Sequence, residues 1–184
     1  MTTREASLQT PPASLASAGP PAADTGFAIH DSPLGRLGIH TRHGAVTRLD
    51  VERAGVLPHE HLVLQRDEVI DETRRQLDEY FAGTRRQFAL PLRIDGTPFQ
   101  NEVWTALTRV TWGAPTTYGA LGSATGRPTG ARAVGGAVRA NPVALLVPCH
   151  RVLGAGRRVT GYSAGNGVPT KTWLLRHEGI DFVE

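Results

Sequence analysis

The hydrophobic period of the chain changes once, and that change limits the fold more than any other feature. Between Phe27 and Val51 the pieces "FAIH", "RLGIH" and "VTRLDV" are short, alternate apolar with polar residues, and are separated by "SPLG" and "RHGA". Alternation sends successive side chains to opposite faces and the separators favour turns, so this stretch reads as an antiparallel meander. Downstream the apolar spacing becomes three and four. In "RDEVIDETRRQLDEYFAG", Ile70, Thr73, Leu77 and Tyr80/Phe81 share a helical face, acids crowd the first turn, and Gly83 stands at the C-terminal cap. "FALPLRIDGTP" follows as a strand and a connector. Strands first and helices after make an α+β chain.

The second region is more regular. Thr97 can cap a helix whose first residue is Pro98, with Phe99, Val103, Leu107 and Val110 as its apolar stripe. "TTYGALGSATG" reads as a short helix ending near Gly126. "RPTGARAVGGAVRANP" then offers Pro128 at a helix start, with Ala131, Val134 and Val138 inward and Asn141-Pro142 as the stop. Two short helices across a glycine-containing turn outline a helix-turn-helix. Gly135 and Gly136 lie inside the second of them, and each costs about 1 kcal/mol relative to Ala. Either a neighbouring element packs closely there, or an external partner approaches. "VPTKTWLLRHEG" closes the chain as a last helix, between Pro169 and Gly179.

Residues 1–24, rich in Pro, Ala, Ser and Thr, read as a disordered tail, which leaves units of 25–94 and 95–184. The net charge of +3 is uneven: nine basic residues face five acidic ones over 95–184, against eleven and twelve over 1–94. A basic second half points toward polyanions. A single cysteine excludes an internal disulfide and cysteine-based zinc fingers, and suits a reducing, cytoplasmic compartment. No apolar run reaches the roughly 20 residues of a membrane span, and the N-terminus lacks a signal-peptide pattern.

That cysteine, Cys149, sits in "LLVPCHRVLG" beside His150 and Arg151. A lone internal thiol is usually a small buried hydrophobe. A nucleophilic one needs a base or cation nearby, because at its reference pKa of about 8.5 only a few per cent is thiolate. His150 is a candidate base, and a carboxylate such as Glu178 could orient it, although a glutamate near a helix end is more often solvated. "HEH", with His59 and His61, supplies two ligands on a loop, too few to point to a metal.

"PCHRV", together with "FQNEVWTAL", "TTYGAL", "ARAVGGAVRANP", "GYSAG" and "WLLRHEG", resembles the O6-alkylguanine-DNA alkyltransferases, also called methylated-DNA–protein-cysteine methyltransferases. The likeness runs from about Phe27 to Gly179. It implies a ribonuclease H-like N-terminal domain, with a small antiparallel sheet and a helix, ahead of a winged-helix DNA-binding domain. It implies irreversible, single-turnover transfer of the alkyl group from O6-alkylguanine in double-stranded DNA to Cys149, with O4-alkylthymine open as a second substrate. His150 would be the base, acting through a water, Glu178 its partner, and Asn141 the hinge that pins the turn before the cysteine. Tyr118 would meet the extruded guanine, with the backbone of Cys149, Val152 and Ser163 reading its edges and Tyr162 lining the pocket. Arg132 would fill the stack after the base leaves it, while Ala131 and Gly135 lie against the minor groove. No cofactor and no metal is implied; the cysteines that hold a structural zinc in some relatives are missing. A monomer is expected, with cooperative assembly on DNA left open.

The chain departs from the family pattern in "YSAGNGVPTKTW", two residues longer than the usual spacing and with Ala164 for a common glycine, and in Thr111 and Trp112. Size preference is therefore open. Two other readings also use these residues. A cysteine hydrolase would turn over through an acyl-enzyme and has no need of the helix pair. A DNA-binding lesion sensor would have no need of Cys149, His150 and Glu178 together.

Overall fold

The computed structural model describes residues 25–184; the tail expected at 1–24 lies outside them. The alternating stretch forms β1 (Thr25–Ser32), β2 (Gly35–Arg42) and β3 (Ala45–Val51), an antiparallel sheet in the order β1-β2-β3. Ser32 closes the first turn by donating its hydroxyl to the Gly35 carbonyl at 2.6 Å. His43 and Gly44, at φ 49° and 72°, make the second, the left-handed pair that a tight hairpin requires. Helix α1 (Glu68–Phe81) lies on this sheet, capped by Asp67, whose side chain accepts from the Ile70 N–H. It buries Ile70, Thr73, Gln76, Leu77 and Tyr80.

The strand expected over 88–94 is not formed. Only Leu92 bridges to Val46, with the Val46 N–H bonded to the Pro91 carbonyl and Arg93 returning one bond. Pro91 has no N–H to give, so the ladder cannot be extended from this bridge back toward Leu90.

Helix α2 (Pro98–Thr108) starts with a reciprocal box between Thr97 and Gln100. Its buried face includes Val103 and Leu107, joined by Trp104, whose indole N–H bonds the Ala137 carbonyl at 2.9 Å; Val110 lies beyond its end. After β4 (Thr116–Thr117) come α3 (Tyr118–Ala124) and α4 (Ala131–Arg139), packed on each other and on α2 as the helix-turn-helix. Pro128 belongs to the connecting turn, not to a helix start. The Arg127 N–H bonds Gly122, Gly130 bonds Arg127, and Gly130 becomes the cap of α4. Ala131 is exposed rather than inward, because the buried stripe is Val134, Ala137 and Val138 and the first turn projects past it.

A turn of 3₁₀ helix at Cys149–Arg151, β5 (Val152–Leu153) and α5 (Val168–His177) complete the chain. One hydrophobic core runs through both halves, from Ile39 and Leu77 to Leu107, Val143 and Leu174. Among the described residues no helix is long and apolar enough to cross a membrane.

Candidate active site

Cys149 is placed by three devices. Asn141 spans the turn before it, donating from Nδ2 to the Val147 carbonyl at 2.8 Å and accepting the Val143 N–H at 3.1 Å. Leu145 takes φ 72°, which bends the apolar run sharply enough for that turn to close. Parallel pairing of Thr116 with Val152 and Thr117 with Leu153 then brings Tyr118, the first residue of α3, to the same cavity as the cysteine.

That cavity, of about 400 Å³, is lined by Cys149, Tyr118, Gly135, Tyr162, Ser163 and Lys171, and by Arg53 from the N-terminal half. A larger one, of about 650 Å³, lies behind Arg151 against Leu90 and Trp112. Size favours the second and chemistry the first, since Cys149 lines the smaller cavity and not the larger.

Behind the thiol is a buried polar cluster. His150 and Glu178 are 0% and 3% exposed, so the glutamate is not solvated. Glu178 Oε1 is 2.8 Å from His150 Nε2 and accepts from the Tyr80 hydroxyl at 2.8 Å. Arg151 donates to Oε2 at 2.7 Å and to Oε1 at 3.0 Å, and its third donor reaches the Val110 carbonyl at 2.5 Å. Burial would raise the Glu178 carboxyl, but hydrogen bonds from His150 and Arg151, with the Arg151 charge, outweigh it and hold it at about 2. Burial lowers the His150 pKa despite that carboxylate, so the ring is neutral. With Nε2–H assigned to Glu178 from the network, Nδ1 carries the lone pair. It is buried, with no hydrogen-bond partner among the described residues.

Burial pushes the Cys149 thiol up, partly offset by Asn141, Tyr162 and Lys171. Its rest state is a thiol, which donates to the Tyr162 hydroxyl at 3.9 Å. Lys171, 1% exposed, donates to the Val152 carbonyl at 2.5 Å; burial lowers its pKa to about 8, opposed by the cysteine. One lone pair of the Val152 carbonyl is therefore already taken.

The expected residues thus divide. Cys149, Tyr118, Gly135, Tyr162 and Ser163 line the cavity, and His150 and Glu178 stand behind it. Arg132 and Ala131 are exposed on the first turn of α4. Among the described residues, a β-carbon at Gly136 would meet nothing within 4 Å, and one at Gly135 only Tyr118 at 3.8 Å, so no neighbouring element described accounts for the glycine pair. The longer wall is tied down: Asn166 accepts the Ala54 N–H at 2.8 Å, and Ser163 donates to the Arg139 carbonyl at 3.1 Å.

Sequence reasoning missed Tyr80, Lys171 and Arg53 as members of the site. Tyr80 was absorbed into an apolar stripe, and the lysine and arginine carried no motif.

Family comparisons agree with this geometry. Residues 27–94 match the ribonuclease-like domain of 6-O-methylguanine DNA methyltransferase, and residues 98–180 match its DNA-binding domain. The constitutive methylated-DNA–protein-cysteine methyltransferase of Bacillus subtilis is 39% identical over 162 residues, covering 86% of this chain and 98% of that protein. The enzyme of that name from Mycobacterium leprae is 42% identical over 149 residues, with 80% and 88% covered. The O6-methylguanine methyltransferase of Mycobacterium tuberculosis superposes with a TM-score of 0.75 at 35% identity, over 84% of this chain and 93% of that one. Its structure in complex with DNA superposes at 0.71, with 36% identity and 83% and 92% covered. With nearly all of 27–180 matched in order, the chain belongs to the 6-O-methylguanine DNA methyltransferase family.

Proposed function

We propose that this chain repairs DNA directly, moving the alkyl group of O6-alkylguanine to Cys149 in one irreversible step. The observation that carries the reading is a thiol in a base-sized cavity, backed by a neutral imidazole whose far nitrogen is held by a buried carboxylate. As the sulfur attacks the alkyl carbon, the S–C bond forms and the C–O bond breaks, its electron pair leaving on O6. The thiol proton passes through a water to His150 Nδ1, and Glu178 stabilises the imidazolium. Tyr118 gives a proton to the departing guanine and regains one from the imidazolium, so protons balance. Lys171 favours the transient thiolate. A thioether has no easy hydrolytic exit, so each molecule acts once.

A base inside a duplex cannot reach Cys149, so the nucleotide leaves the stack, at a cost of a few kcal/mol. Arg132, exposed on α4, fills the gap, and the open face at Ala131, Gly135 and Gly136 lets the helix approach the sugar-phosphate backbone. Residues 95–184 carry DNA binding and chemistry, while 25–94 supply Tyr80 and Arg53.

The test is Cys149→Ala with duplex containing O6-methylguanine. Transfer is expected to vanish while binding persists at close to the parent affinity. Equal loss of binding would make the cysteine a structural residue and overturn the reading.

A further inference from the structure

The sequence offers "HEH" as a histidine pair, but the fold does not bring His59 and His61 to one point. It turns the half-exposed His59 toward a different pair of residues. His40 on β2 and Asp50 on β3 lie on one face of the sheet, and the loop after β3 lays His59 over them. His40 Nε2 is 2.7 Å and His59 Nδ1 is 2.8 Å from the same oxygen, Asp50 Oδ2. The three potential ligand atoms lie within 4.8 Å of one another.

The surroundings hold this convergence in place. Leu57, 1% exposed, anchors the loop in the core, and His59 takes φ 61°, an uncommon conformation outside glycine that costs about 1 kcal/mol. The Leu62 N–H bonds the His59 carbonyl and fixes the bend. His40 is wedged against Phe27 at a centroid distance of 4.8 Å. Opposite Asp50 stands Gly38, where a β-carbon would come within 3.2 Å of Phe27 and 3.6 Å of His40 Nε2. A larger residue there would crowd the cluster.

We propose that His40, Asp50 and His59 form a binding site for a divalent ion of the zinc class, with water in the fourth position. Two imidazoles and one carboxylate suit Zn²⁺ or Co²⁺ and are a poor set for Ca²⁺ or Mg²⁺, which prefer oxygen. Ligand atoms around a tetrahedral zinc stand about 3.3 Å apart for bonds of about 2.05 Å. Each histidine therefore needs to withdraw from Asp50 by roughly half an ångström, while the ligand nitrogens of His40 and His59, which lie within 4.8 Å of one another, close to about the same 3.3 Å by rotation of the half-exposed His59 side chain. The opposing charge is Arg48, 3.5 Å from the other oxygen of Asp50 and half exposed, so it can swing away. The ion would do more than rivet a loop to a sheet. The same loop carries Arg53 to the Cys149 cavity and bonds through Ala54 to Asn166 in the lengthened wall. Zinc at His59 would brace the side of the pocket in which this chain departs from its relatives.

The test is calorimetric titration of Zn²⁺ into the untagged full chain carrying Cys149→Ser, so that the thiol cannot compete. One ion per chain is expected, with an upward shift in the melting temperature. His59→Ala, made on an exposed loop, is expected to weaken binding by about 10–100-fold or more. His61→Ala should stay within about twofold of the parent. Absence of binding, equal affinity in His59→Ala, or a loss in His61→Ala as large as that in His59→Ala would overturn the proposal.

Discussion

Glu178 satisfies three partners at once, and removing its charge should be felt by each. In Glu178→Gln the buried Arg151 loses its counter-ion and His150 its anchor. Breaking such a buried pair costs about 3–5 kcal/mol, measurable as a lower urea midpoint. Alkyl transfer should slow by about 100-fold or more, the usual contribution of a positioned base, in single-turnover kinetics. Acid should have a related effect. The Glu178 carboxyl sits at about 2, against an ordinary 4.5, so its contribution is complete above 4.5 and lost as pH falls through about 2. That contribution is about 3 kcal/mol by linkage. His150 is also lowered, from an ordinary 6.5, so folding favours the neutral ring and this contribution too is lost on going below 6.5. Stability measured by denaturant titration should therefore fall steadily on acidification below pH 6.5. The transfer rate should keep its base-dependent limb below that value as well. A rate that halves at or above pH 7 would contradict a buried, neutral imidazole.

At the scale of elements, helix α4 separates two demands that usually coincide. Its glycines have no packing partner to explain them, so Gly136→Ala should add about 1 kcal/mol of helix stability. If the exposed face meets a DNA backbone, the same methyl should weaken DNA binding. Thermal melting and fluorescence anisotropy on one variant would show opposite signs; a stabilised helix with unchanged affinity would remove α4 from the interface. This element was readable in the sequence because its stripe repeats at three and four and Asn141-Pro142 ends it. So were the meander and α1, where period and turn residues agree. The segment over 88–94 was less so, since its extended character was visible but the lost donor at Pro91 decided the pairing. Pro128 misled for a similar reason: proline suits a first helical turn and a connecting turn equally, and the Arg127 to Gly122 bond chose the latter.

Across the whole molecule, the site joins segments far apart in the chain. The Tyr80 to Glu178 bond spans 98 residues, and the Ala54 to Asn166 bond spans 112. Contacts of this length leave no periodic trace, which is why Tyr80 read as core and why Glu178 was paired with His150 only through the family resemblance. Cys149, His150 and the helix pair had local signatures, whereas the residues packed around them did not. Lys171 and Arg53 fall in that second class: one is a cation buried by α5, the other is brought to the cavity by a loop from the opposite half. The N-terminal unit consequently contributes Arg53 to the cavity wall and Tyr80 to the buried cluster as well as supporting them. All of this serves one claim, that the sulfur of Cys149 accepts the alkyl group. Incubation of the protein with duplex carrying O6-methylguanine, followed by peptide mass spectrometry, tests it most directly. The account predicts one methyl group per chain, on the peptide containing Cys149, with the guanine restored; a restored guanine with unmodified Cys149, or an untouched lesion, would contradict it.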